Sequence, residues 1–315
     1  MPTGLPDPRP VVPDESINPA VVVLPAVSFD LPLDELGPWL DRLSISEALA
    51  VPGTDAPVYL TDRDGGVALT TSGMGKAPAA TTVAALYGTT GLDLGDSYWL
   101  SAGIAGGRPS PPLGSVFVAD AVLDWDRKHR WDPAELPTAD RDHRDEPAVE
   151  RLSYLPEGSV HHLDAGLVER AATAAASVDL EDRESVREYA SRYADGSDRS
   201  VGPRVGVGPT VTSDEFWHGT AVAREVAAYA RSYGLDPYAT TQMEDAATAT
   251  ALERYDALDR YLSVRAVANY DRPPAGETVH DSFEGTPESI EQAAENAARV
   301  GSAVVEALVS DRRRP

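Results

Sequence analysis

Apolar residues in this chain fall into short dense runs, separated by longer stretches where alanine and polar positions recur at helical spacing. AVVVLPA at Ala20–Ala26 is β-branched and unbroken, the pattern of a strand covered on both faces, and it predicts the opening strand of a buried parallel sheet. VALTT at Val67–Thr71 predicts another strand, which SGMGK turns into an alanine-rich helix from Ala77 to Tyr87, with Pro78 in the tolerated first turn. YWLSAGIAGG reads as a strand entering a glycine turn, and SVFVADAVLD at Ser115–Asp124 as one longer strand. Between Arg127 and Glu150 the rhythm breaks, because charge, proline and histidine crowd together. That stretch is expected to be a surface insertion.

The second half is more regular. Helices are predicted at Asp164–Val178, in an acidic patch near Glu181–Tyr193, at Trp217–Tyr233, from Glu244 to Leu258 and at Pro287–Leu308. Strands are predicted at RVGVGPTVTS, ending on Ser213, and from Val264 through VRAVANY. Strand and helix alternate, which predicts one α/β domain over residues 20–312, its mostly parallel sheet covered on both faces and its ligands at the carboxyl ends of the strands. Residues 1–19, polar and rich in proline, read as a flexible arm without the apolar stretch of a secretory signal. The longest apolar run near it, Pro19–Phe29, is half of what a spanning helix needs, so a cytoplasmic chain is expected.

Composition narrows the choice of ligand. The 315 residues carry a formal charge of −24, which repels phosphate backbones and anionic lipid surfaces and leaves small molecules as the expected ligands rather than nucleic acid. Lys76 and Lys128 are the only lysines. Such an acidic, lysine-poor chain resembles proteins of salt-accumulating organisms, in which screening over a few ångströms removes self-repulsion. With no cysteine, disulfides, thiolate nucleophiles and thiolate metal sites are excluded.

Single motifs say little. SGMGK has Thr70 where a phosphate loop needs its first glycine and Ala77 where it needs Ser or Thr, and AGIAGG does not fit the dinucleotide fingerprint. His129, His143, His161, His162, His218 and His280 lack ligand spacing on any one helix face, so no metal is expected. No serine occupies a nucleophile elbow.

The order of motifs says more. SGMGKAPAATT, AGIAGG, TSDEF, QMEDA and VRAVANYDRP follow one another as in the nucleoside phosphorylase superfamily, and within it the chain resembles the purine nucleoside permease family over about residues 20–310. The resemblance implies a three-layer nucleoside phosphorylase-like fold, a purine nucleoside as ligand, no cofactor and a homo-oligomer. Met243 and Glu244 match the pair that grips the ribose, although Thr241 and Glu244 also have the spacing of a capping box. Phe216 matches the aromatic that stacks on the base, with Ser213, Trp217, Gly103 and Ile104 lining the pocket. Where relatives carry an aspartate that protonates the leaving purine, this chain has Asn269, which can hydrogen-bond but not protonate and tilts the substrate toward 6-oxopurine nucleosides. Asp271 is the alternative acid, with Arg272 beside it. Asp30 and Ser101 stand where phosphorylases have phosphate-binding arginines, and Asp30 aligns with the carboxylate that activates water in hydrolytic relatives. Three readings follow: a purine nucleosidase; a phosphorylase using phosphate as co-substrate, with an arginine such as Arg108; and a non-catalytic nucleoside-binding or uptake protein.

Overall fold

The computed structural model describes residues 4–132, 134–135, 148–155, 158–193 and 202–312. Its first half builds one side of a mixed sheet. Strands β1 (Arg9–Pro10), β2 (Val21–Leu24), β3 (Glu47–Ala50), β4 (Val58–Leu60), β5 (Val67–Leu69) and β6 (Tyr98–Gly107) are joined by short helix α1 (Gly37–Leu40) and by α2 (Lys76–Gly88). They lie in the order β1, β3, β4, β5, β2, β6. All four residues of β2 are buried, as its β-branched run requires of a strand flanked in parallel by β5 and β6.

The second half adds strands beyond β6. In chain order these are β7 (Val116–Val118), β8 (Ala121–Asp124), β9 (Lys128–Arg130), β10 (Val149–Arg151), β11 (Val160–His162), β12 (Val205–Val207), β13 (Thr210–Thr212), β14 (Thr240–Gln242) and β15 (Tyr261–Tyr270). The helices among them are α3 (Ala165–Ala175), α4 (Glu184–Ala190), α5 (Thr220–Ser232), α6 (Asp245–Arg254) and α7 (Pro287–Arg312). At β6 the sheet forks: its first half pairs with β2, its last residues with β14, and its whole length runs parallel to β15. Helices cover both faces, α7 packing on β6 and β15 alongside α1 and α3, and α2 packing on α6.

Four expectations change. The N-terminal segment is docked rather than free: Arg9 joins the Glu15 and Glu47 carboxylates, β1 pairs with β3, and Ile17 is fully buried. YWLSAGIAGG is one continuous strand with no turn at its glycines. A Cβ on Gly106 would lie 2.7 Å from Thr241 Oγ1 and one on Gly107 2.9 Å from Val267 Cγ1, so both glycines admit close neighbours. Ser115–Asp124 is two strands, because β7 pairs with β12 and β15 while β8 pairs with β11 and β13. RVGVGPTVTS likewise divides at Gly208–Pro209 into β12 and β13. The ends of the expected 127–150 insertion form the antiparallel ribbon β9–β10, which lies on α5 through the Arg130–Glu225 ion pair; residues 133 and 136–147 lie outside the described residues.

Candidate functional site

Strands β2 and β5 run parallel to β6 and end against its middle, β15 runs parallel along it, and β14 meets the last residues of β6 antiparallel, so that the segments following β2, β5 and β14 lie over the centre of β6 and β15. The chain leaves β5 through Ser72–Gly73–Met74–Gly75, where Gly73 and Gly75 adopt φ of 79° and 89°, and enters α2 with its first amides directed outward. The Gly75 N–H donates to Glu244 Oε1 at 3.0 Å and the Lys76 N–H to Asp214 Oδ1 at 2.7 Å. Two carboxylates from distant parts of the chain therefore sit on the positive end of one helix.

Glu244 is buried at the start of α6, but not as the cap its spacing with Thr241 allowed. Gln242 Oε1 accepts the N–H groups of Glu244 and Asp245, and Thr212 Oγ1 accepts that of Ala246, so neighbouring side chains cap the helix. The Glu244 carboxylate turns instead to Gly75, to the Met243 N–H at 3.3 Å and to the Arg265 guanidinium at 3.3 Å. Burial pushes its pKa up to about 7, against the pull of Arg265 and the Gly75 N–H.

Arg265, on β15, is 2% exposed and was not singled out from sequence. It contacts Asp245 through Nε at 3.2 Å and through a close NH2 contact. Asp245 is fully buried and also accepts from Ser263 Oγ at 2.6 Å and Tyr261 OH at 3.1 Å. An arginine inside VRAV was the available signal, since a charge in a buried strand has to be paired.

The structure brings a different carboxylate to the end of β2 than the expected Asp30. Residues 28–34 form a small hairpin with Asp30 exposed at its tip. Glu35, at its base, is 3% exposed: Oε2 accepts the Ala26 and Val27 N–H groups at 2.6 and 3.3 Å, and Oε1 accepts that of Ile104 at 2.6 Å. A Cβ on Gly103 would overlap Glu35 Oε1, so Gly103 and Ile104 form the seat of this carboxylate. Burial pushes the Glu35 carboxyl up, with Arg265 and the three amides opposing. The hairpin displaces the carboxylate five residues along the chain, a spacing that strand periodicity cannot reveal.

Phe216 and Asn269 each meet Phe283. Phe216, 53% exposed, meets Phe283 edge-on at 4.7 Å between centroids, and Asn269 Nδ2 donates to Phe283 O at 3.1 Å. His218 lies edge-on to the same ring and its Nε2 is 3.0 Å from Ser282 Oγ. Neither Phe283 nor Ser282 was anticipated, as no motif marks them. Ser213 is buried and donates to Asp126 Oδ1, while the Trp217 side chain packs on the cluster around Trp125 and Tyr229. Asp271, buried after β15, accepts from Tyr238 OH at 2.6 Å and from Arg272 through both oxygens, so its carboxylate is occupied by protein groups.

Each cation nearby among the described residues is already paired. Lys76 Nζ bridges Asp124 and Asp126 at 2.8 and 2.9 Å, Arg108 meets Asp236 at 2.8 Å, and Arg272 meets Asp271.

The forked sheet with helices on both faces is a nucleoside phosphorylase-like fold. Futalosine hydrolase of Helicobacter pylori superposes with a TM-score of 0.58 over 92% of this chain and 98% of that one, at 15% identity. The 5′-methylthioadenosine/S-adenosylhomocysteine nucleosidase of Colwellia psychrerythraea, solved with adenine, gives 0.58 over 93% and 96%, at 18% identity. The family model described as purine nucleoside permease matches residues 18–314, and the chain belongs to that family. A probable purine nucleoside permease of Schizosaccharomyces pombe is 31% identical over 223 residues, and the match spans 64% of each chain. The purine nucleoside permease of Candida albicans is 25% identical over 302 residues, 88% of this chain and 73% of that one. Among the described residues, no helix is long and apolar enough to cross a membrane.

Proposed function

We propose that this protein hydrolyses the N-glycosidic bond of purine nucleosides. The observation that carries this reading is the buried Glu35–Arg265–Glu244 cluster, whose Gly75–Lys76 turn also holds Asp214, two residues before the exposed Phe216. Glu244, with the Met243 backbone next to it, accepts hydrogen bonds from the two sugar hydroxyls, and Phe216 stacks on the base. Glu35 takes over the role expected of Asp30: it accepts a proton from the water that attacks the anomeric carbon, while the purine departs with the glycosidic electron pair and takes up a proton at N7 from solvent. General-base help of this kind is worth about 10²–10⁴ in rate.

Asn269 serves the leaving base. With one amide N–H held by Phe283 O, it keeps a second N–H and Oδ1, which suit a 6-oxo group and a protonated N7, and so favours inosine and guanosine over adenosine. Asp271, the other candidate for this step, is given a supporting place here because Tyr238 and Arg272 occupy it.

Water is favoured over phosphate because Lys76, Arg108, Arg265 and Arg272 are all engaged by carboxylates, and a dianion would meet Glu35 and Glu244 unopposed. Nucleoside binding for uptake remains the second reading, favoured by the names of the yeast relatives. Purified protein incubated in molar salt with inosine, guanosine and adenosine, with and without phosphate, separates these outcomes. Free base without phosphate supports hydrolysis; base only with phosphate, or binding without release, overturns it.

A further inference from the structure

Three buried carboxylates share one guanidinium, and they share it unequally. Asp245 makes the close contacts, taking Nε and NH2 of Arg265, and adds the hydroxyls of Ser263 and Tyr261. Glu244 touches Arg265 at 3.3 Å through the same NH2, and Glu35 feels it only through space. The other charges around Glu244 do not make up the difference. From α2 it receives the Gly75 N–H, while Lys76 next along is spent on Asp124 and Asp126; Asp214 faces the same helix end with a further negative charge.

We propose that Asp245 is a positioning residue: by claiming Arg265, it leaves Glu35 and Glu244 short of positive charge, so that these two glutamates retain a shared proton in the free site. Asp245 has no path to a ligand, being fully buried at the first position of α6 with its bonds made to protein groups. Its effect is transmitted through the share of Arg265 it withholds. In a site of low polarity a cluster of three carboxylates and one guanidinium holds a proton rather than carry two uncompensated charges. The consequence is a sugar site that grips a diol only once that proton has left, which places the acid limb of binding well above the ordinary carboxylate range.

The inference rests on Glu244 as the acceptor of the sugar hydroxyls, but its test does not require turnover. Carboxyl ¹³C NMR of wild-type protein labelled at Glu Cδ, in molar salt, is expected to show a glutamate titrating near neutrality, assigned by Glu244→Gln and Glu35→Gln. In Asp245→Asn the freed guanidinium turns to Glu244, and the glutamate midpoint falls by about one pH unit or more, as does the acid limb of inosine binding. A glutamate midpoint unmoved in Asp245→Asn overturns the inference. So does a wild-type spectrum in which no glutamate titrates near neutrality, an outcome readable even where the variant does not fold. The expected shift without release of base leaves the inference standing and defeats the hydrolytic reading.

Discussion

The two sides of this site, proposed to hold sugar and base, are built on opposite terms. Glu35, Glu244, Asp245 and Arg265 are all buried, come from three distant places in the chain, and exhaust most of their hydrogen bonds on protein groups. Phe216, Phe283 and Asn269 sit on loops and a strand end, half open to solvent, and touch mainly one another. The buried side is fixed before any ligand arrives, so its charges do not reorganise during reaction. The open side can admit and release a flat base. A site of this kind separates orientation from exchange, and each side fails differently when altered.

Removing Arg265 is expected to have the largest effect. Arg265→Met strands three buried carboxylates, at a cost of about 3–5 kcal/mol, measurable by urea unfolding in molar salt. A variant as stable as the parent would mean that the cluster is not one unit.

Next comes Glu35. Glu35→Gln is expected to lower kcat about 10²–10⁴-fold with KM nearly unchanged, while Asp30→Ala at the exposed hairpin tip leaves both unchanged. The reverse pattern in steady-state kinetics would return the role to Asp30.

Glu244 links the sugar side to pH. Its folded-state pKa is raised from 4.5 to about 7, so the stability associated with its protonation is fully present below about 4.5 and is lost as pH rises through about 7. Ligand binding has the opposite sense, because the ionised form accepts the diol: kcat/KM is expected to rise with pH through about 7. In Glu244→Gln, the pH dependence of melting should flatten over that interval.

On the base side the effects are smaller. Phe216→Ala removes stacking worth about 0.5–1.5 kcal/mol, raising KM roughly 3- to 10-fold with little change in melting temperature, since the ring is more than half exposed. Salt divides the molecule along the same line. Raising it from dilute to molar should increase the melting temperature of a chain of charge −24, yet scarcely move the Glu244 midpoint, because buried charges are little screened. A midpoint that follows ionic strength would place the cluster in contact with solvent.

The parts of this protein that depend on local pattern are legible in its residues. The β-branched run at Ala20–Ala26, the glycine turn into an alanine-rich helix, the strand through Val264 and the last helix each declare themselves within a dozen positions. Their order suffices to place the chain in its family and to nominate Glu244 and Phe216. Strand breaks at Ala119–Asp120 and Gly208–Pro209 escaped the same reading because each depends on which partner strands lie alongside.

Tertiary structure alone decided which carboxylates meet. Asp30 and Glu35 are both acidic residues following the first long strand, and only the hairpin between them turns one to solvent and the other onto Gly103 and Ile104. The bond from Gly75 to Glu244 spans 169 positions, and Arg265 reaches three acidic residues that no periodicity connects. Sequence determines which local elements form, because propensity and patterning act over a few residues. The ownership of one buried positive charge is settled by where the folded sheet brings its strand ends together, since Coulomb attraction in a dry interior depends on distance in space and not along the chain.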